Sequence, residues 1–131
     1  MIPFEYVDRR GSGIISDWSL EKRQSVALNT WLIRARRFDR ETALNTLIFT
    51  CRPLRGIYYV KIRGEVQLRP RVCLGPVDEE HELTFLERVR KKGGRETPER
   101  RSSRAPERRR EVAGSPAASR RALMPGGKET P

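Results

Sequence analysis

The apolar positions of this chain change period along its length, and each change marks a different element. Phe4-Glu-Tyr-Val7 alternates over a short run and predicts a strand. Arg9-Arg-Gly-Ser-Gly13 follows as a flexible connector. Leu28, Trp31, Leu32 and Ala35 then recur at i, i+3, i+4 and i+7, the stripe of a helix buried on one side, with Arg23, Arg34 and Arg37 opposite. With Ser16 or Asp17 as cap and Glu21 in the first turn, the pattern predicts a helix over about 16–37.

Asp39 caps a second, short helix through Thr42, Ala43, Leu44, Leu47 and Ile48. The β-branched end of that segment, Ile48-Phe-Thr50, is equally compatible with extended chain, and Pro53 ends whatever precedes it. The period then becomes two. Tyr58, Val60 and Ile62 alternate with Tyr59, Lys61 and Arg63, and Val66, Leu68, Val72 and Leu74 alternate with Gln67, Arg69 and Arg71. Two amphipathic strands joined by a tight turn occupy about 57–74, one face on a core and the other, with four cations, toward solvent. Gly75–His81 reads as a loop, and Glu82-Leu-Thr-Phe-Leu-Glu87 as a third strand that completes the sheet.

Sorting the cations from the apolar residues fixes the register of this hairpin. A two-residue turn at Gly64-Glu65 pairs Arg63 with Val66 and sets Arg69 beside Val60, which mixes charge with core. A three-residue loop, Gly64-Glu-Val66, pairs Arg63 with Gln67, Lys61 with Arg69 and Tyr59 with Arg71, and keeps every cation on one side. A one-residue slip turns all side chains over, so burial selects the sorted register, with Gly64 free to take a positive φ. Like charges facing each other across strands repel, and a bound polyanion relieves that repulsion.

Charge strengthens this reading. The chain of 131 residues carries a net charge of +11, with 34 % charged and 36 % hydrophobic residues, so one modest core is expected. Residues 1–89 contribute +3 and residues 90–131 contribute +8. Such a balance favours polyanionic partners: nucleic acid, ribosome or an acidic protein. From Gly93 onward Arg, Glu, Pro, Ser, Ala and Gly prevail and aromatics vanish. A fraying helix near 98–112, opened by Thr97-Pro98 and interrupted by Pro106, is expected there, followed by disorder. The expected organisation is therefore a domain over 1–92 and a basic, Arg- and Pro-rich tail over 93–131, partly helical or disordered.

Other chemistries find little support. No stretch approaches the length of a membrane span, and Met1–Asp8 lacks the pattern of a signal peptide, so a cytoplasmic protein without a membrane partner is expected. Cys51 and Cys73 form no CxxC and read as reduced, partly buried thiols rather than a disulfide or metal pair. Asp78, Glu79, Glu80 and Glu82 are consecutive loop acids, the signature of a solvated turn, and no His/Cys set has zinc spacing. Gly11-Ser-Gly13 is too short for a phosphate loop. Neither metal nor cofactor is expected.

The run Pro53-Leu-Arg-Gly-Ile-Tyr-Tyr-Val-Lys-Ile-Arg63, the Gln67-Leu-Arg69 strand after it, and Glu82-Leu-Thr-Phe-Leu86 resemble the RelE/ParE superfamily of toxins from type II toxin–antitoxin systems, most nearly its phage-derived, HigB-like group. The resemblance covers roughly 3–98. It implies an α+β fold in which two N-terminal helices pack on a small, mostly antiparallel sheet. It implies a toxin that cuts mRNA on the ribosome and a cognate antitoxin, a small helix-turn-helix protein, that silences it. HigB-like proteins carry a basic or imidazole residue before Pro-Leu and a cation after it, the positions of Arg52 and Arg55. Arg63 and Arg69 match the arginines of the two hairpin strands, and Lys91 and Lys92 lie near the family's late basic residue. The family commonly places a Tyr or His near the end of the sheet; none follows Phe85 here, and the only histidine, His81, lies in the acidic loop.

On this resemblance Arg63, Arg69 and Tyr59 are the expected catalytic residues. The two arginines clamp the scissile phosphate, and Tyr59 stacks on a base or takes part in proton transfer. Lys61, Arg52, Arg55, Arg71, Lys91 and Lys92 are expected to bind the RNA backbone. Arginines stabilise developing charge well and move protons poorly, which suits a ribosome-dependent enzyme whose substrate is oriented by the ribosome. Two alternatives stand beside it: a non-catalytic module that holds single-stranded nucleic acid by stacking and charge, and a ParE-like inhibitor of DNA gyrase that acts by protein contact.

Overall fold

The computed structural model describes residues 1–124. The chain is α+β. Strand β1 (Ile2–Tyr6) precedes helices α1 (Lys22–Arg37) and α2 (Arg40–Thr46). Strands β2 (Phe49–Thr50), β3 (Tyr58–Tyr59), β4 (Gln67–Leu68), β5 (Arg71–Leu74) and β6 (Glu82–Glu87) follow. The C-terminal part adds β7 (Arg90–Lys92), β8 (Arg95–Thr97), a 3-10 turn (Arg100–Ser102), α3 (Ala105–Gly114), α4 (Pro116–Ser119) and β9 (Arg120–Ala122). Six strands form one sheet in the order β2-β3-β5-β6-β1-β9, antiparallel except for β1 beside β6. A second sheet of three antiparallel strands has the order β4-β7-β8. No described helix is long and apolar enough to cross a membrane.

Strand β6 lies inside the sheet between β5 and β1, and all its residues but Glu82 are buried. Helix α1 buries Leu28, Trp31, Leu32 and Ala35, the stripe its sequence period predicts, and the Trp31 ring meets the Phe85 ring of β6 edge-on at 5.5 Å. The helix starts at Lys22, not near 16. Ser16 and Asp17 are drawn elsewhere: the backbone amides of Ile15 and Ser16 and the Ser16 hydroxyl donate to the buried Glu5 carboxylate, and Asp17 accepts from the Gly13 amide. The capping capacity of these residues is thus used in a tertiary contact. Asp39 does cap α2, accepting from the Thr42 amide at 2.8 Å. Ile48-Phe-Thr50 ends extended, with Phe49 and Thr50 forming β2.

The hairpin keeps the sorted register. Tyr58 faces Val72, Tyr59 faces Arg71, and Ile62 bridges Leu68, so the three residues 64–66 form its loop. Gly64 has no positive φ; its role is close approach, since a Cβ there would lie 2.8 Å from Gln24 Nε2. That amide donates to the Val66 carbonyl at 2.6 Å and ties the loop to α1. The pairing is not continuous: beyond Ile62, β4 leaves the main sheet and pairs with β7.

The expected solvent face of the hairpin is covered where the sequence pattern left it open. Arg71 is 1 % exposed and Arg69 9 % exposed. A register shift between Arg71 and Val72 pairs Arg71 with Glu87 and Val72 with Phe85, an irregularity that re-aims side chains locally. Arg71 Nη1 bonds Glu87 Oε1 at 2.8 Å, and Nη2 bonds the Pro98 carbonyl at 2.8 Å and Glu96 Oε1 at 3.3 Å. Glu87 also accepts from the Ser103 hydroxyl and the Arg104 amide.

The segment after 92 therefore departs from the expected tail. A helix overlaps the expected 98–112 only in part, as Ala105–Gly114; Pro106 stands in its first turn and opens it instead of interrupting it, and the chain around it is also structured. Gly93 and Gly94, with φ of +57° and +78°, make the two-residue turn between β7 and β8, a geometry that glycine adopts at little steric cost. Ala105 and Val112 of α3 enter the core, and β9 pairs with β1 to finish the main sheet. Disorder expected after 112 is not seen as far as Met124; residues 125–131 lie outside the described part.

Cys51 and Cys73 are free, buried thiols, and burial pushes the Cys73 thiol up to about 12. Because removing one partner of a buried ion pair leaves the other charge unmatched, Arg71→Met should cost about 3–5 kcal/mol in urea unfolding. A loss below about 1 kcal/mol would show that Arg71 does not hold the two sheets together.

Candidate nucleic-acid interface

The site begins with a cross-strand pair. Phe49 of β2 lies opposite Tyr59 of β3, and their rings stack with centroids 5.5 Å apart and planes 28° apart. Phe49 is 41 % exposed at the edge of the sheet. Period two places Lys61 on the same side as Tyr59, and its Nζ stands 4.3 Å from the centre of the Phe49 ring. The hairpin register brings Arg69 to Tyr59, with its guanidinium carbon 5.1 Å from the ring centre. Arg100, on the 3-10 turn, approaches the same ring at 5.4 Å. Two aromatic rings are thus bracketed by three cations, each cation–ring contact being worth about 0.5–1 kcal/mol at exposed sites.

The two arginines are held, not free to swing. Arg69 donates to Gln67 Oε1 through Nε at 3.2 Å and Nη2 at 2.8 Å. Arg100 donates through Nε to Glu96 Oε1 at 2.9 Å and through Nη1 to the Arg52 carbonyl at 2.7 Å. The bond to Glu96 raises the Arg100 guanidinium above its ordinary value. Burial pushes the Glu96 carboxyl up, but the hydrogen bond and charge of Arg100 and the charge of Arg71 outweigh it and hold the group below its ordinary 4.5.

The expected site residues separate into three groups. Tyr59, Lys61 and Arg69 come together, whereas Arg52 contributes its main-chain carbonyl as a partner of Arg100 and is itself exposed at the margin. Lys91 is near as well, because it faces Gln67 across the β4–β7 ladder. Arg63 is exposed at the hairpin tip, while Arg55 on the loop between β2 and β3 and Lys92 before the Gly-Gly turn are exposed at the margins. Arg71 does not belong to the surface: its guanidinium is committed to Glu87, Glu96 and the Pro98 carbonyl, so it cannot contact an RNA backbone. Its role is to anchor the segment that delivers Arg100.

Phe49 and Arg100 were not expected at the site. Phe49 carried a signal, an aromatic beside β-branched neighbours before Arg52-Pro53, but its segment read equally as helix or strand. Arg100 carried none, being one arginine among many in a Pro-rich stretch. His81 is remote: it adjoins the Glu82 end of β6, whereas the platform lies at the Glu87 end. There its ring bonds Asp78 at 2.9 Å and holds that carboxyl below its ordinary value. Around the platform the Tyr59 phenol and Lys61 are able to move a proton, the Glu96 carboxylate is committed to two guanidinium groups, and the arginines can only fix charge. Comparison with known proteins finds no matching protein family, no matching curated protein and no matching solved structure.

Glu96→Gln should therefore lower stability at neutral pH by about 2 kcal/mol, the scale of a charged hydrogen bond. A carboxylate whose folded value is depressed stabilises above its unfolded value of 4.5 and loses that contribution as pH falls through the lower folded value. The variant should lack this part of the acid limb in thermal melts taken as pH falls below 4.5. Identical acid limbs would show that Glu96 is not linked to folding.

Proposed function

We propose that this protein binds single-stranded RNA across the Phe49–Tyr59 platform and acts as the toxin of a toxin–antitoxin pair, cutting mRNA held in the ribosome. The observation that carries the binding step is the stacked pair bracketed by Lys61, Arg69 and Arg100. An exposed aromatic face stacks on any base, worth about 1–3 kcal/mol per base, and flanking cations hold the backbone. The cleavage step rests on the resemblance of the hairpin sequence to RelE/ParE toxins. The element order, a strand and two helices followed by antiparallel strands, is compatible with that resemblance.

In this reading a base stacks on Phe49 with the adjoining phosphate toward Arg69 and Arg100. As the 2′-OH attacks phosphorus and loses its proton to water, charge grows on the phosphorane, fixed guanidinium donors favour it over the ground state, and the P–O5′ bond then breaks to leave a 2′,3′-cyclic phosphate. Arg63 and Arg52 guide the strand at the margins. Tyr59 is the group nearest both arginines that can donate a proton to the leaving oxygen. The ribosome supplies the orientation that a site so poor in acid–base groups lacks. A cognate antitoxin with acidic or apolar segments would cover the same platform.

The test maps mRNA 5′ ends in a translating extract. Wild type should give new cuts within codons. Tyr59→Phe should reduce them by roughly 100-fold or more, the contribution of acid–base catalysis, while keeping the fold and RNA affinity. Phe49→Leu should instead weaken oligonucleotide binding by roughly tenfold, consistent with one lost stacking contact. RNA binding without cuts would support the non-catalytic module. Inhibited supercoiling with intact mRNA would support the gyrase reading.

A further inference from the structure

An open cleft of ≈ 380 Å³ lies beside the platform, lined by Lys91, Gly94, Arg95, Glu96, Glu99 and Arg100. It is built by the β7–β8 hairpin and the 3-10 turn after it, the part of the chain that sequence alone read as a tail. Its walls are cationic once the acids are accounted for. Glu96 is matched by Arg71 and Arg100, and Glu99 pairs with Arg101. Lys91 faces Glu96 across the ladder, but that carboxylate is already held by two guanidinium groups. Among the described residues neither Lys91 nor Arg95 has a carboxylate within ion-pair distance. Gly94 leaves the mouth open, since even a Cβ there would meet nothing within 4 Å.

Arg100 joins the cleft to the platform. Its guanidinium lines one and lies 5.4 Å from the Tyr59 ring in the other. We infer that the cleft is a second phosphate subsite for the RNA strand, in which Lys91 and Arg95 take a phosphate beyond the nucleotide stacked on the platform and Arg100 is shared by both. The inference rests on the RNA-binding reading and adds a direction to it: the strand runs from Phe49 over Tyr59 toward the Gly93-Gly94 turn. Two unmatched cations in a polar cleft with no apolar floor suit a mobile, highly charged backbone better than a protein segment, which would need apolar anchors.

Fluorescence anisotropy with labelled single-stranded octauridylate and with a uridine dinucleotide tests this, using the full chain. Arg95 is exposed, so Arg95→Gln and Arg95→Glu should fold as wild type does. Octamer affinity should fall about tenfold for Arg95→Glu, and the salt slope should flatten by about 0.7 for Arg95→Gln, the value of one lost phosphate contact on a single strand. Dinucleotide affinity, which needs only the platform, should be unchanged in Arg95→Gln. An unchanged octamer slope would overturn the subsite and leave the platform standing. Equal losses on both ligands would also overturn it, since they show a diffuse field and not a site. If wild type binds neither RNA, the RNA-binding reading falls and the subsite with it.

Discussion

A guanidinium in the interior of a protein is tolerated only when it is matched by charge and by hydrogen bonds, because desolvating it costs several kcal/mol. Arg71 meets that condition with groups from three places: Glu87 across the ladder, Glu96 from β8, and the Pro98 carbonyl beyond it. Glu87 then holds the Ser103 hydroxyl and the Arg104 amide. The chain from 96 to 104 is thereby fixed against the end of the main sheet. Arg100 lies within this stretch, and its position over Tyr59 follows from the matching of a buried charge on the adjacent strand.

A second buried charge organises the other end of the molecule. Glu5, on β1, accepts from the Ile15 and Ser16 amides, the Ser16 hydroxyl and Arg121. It holds the loop before α1 and the strand β9 to one central element. Both polar centres work alike. A single buried polar side chain inside the sheet recruits donors or acceptors from distant sequence, and the recruited segments then complete the core with residues such as Val112 and Leu123.

The platform is a different kind of structure. Its energy is distributed over ring stacking and cation–ring contacts that are individually small, and it leaves Phe49 partly exposed to solvent. Such a surface suits a ligand that supplies a flat apolar face and a charged backbone together. It fixes charge better than it transfers protons, so any chemistry proposed for it leans on a larger assembly to align the reacting atoms.

The sequence by itself determined the elements whose signals are local and periodic. The buried stripe of α1, the Asp39 cap, strand β6 and the hairpin register were legible because each depends on neighbours within one turn or one cross-strand pair. Period two also assigned Arg69 and Arg71 correctly to one side of the hairpin. It could not tell what would cover that side. A periodic pattern reports which residues share a face, whereas burial depends on which distant segment docks there. Arg71 finds Glu87, Glu96 and Pro98 at separations of 16, 25 and 27 residues. Ser16 and Asp17 had good capping chemistry, but Ser16 was taken by Glu5 of β1 and Asp17 by the Gly13 amide of its own loop. Only the tertiary structure decided that an Arg- and Pro-rich segment would fold back, bury one arginine and present another beside Tyr59. Matching a charge removed from water requires partners that no local window contains.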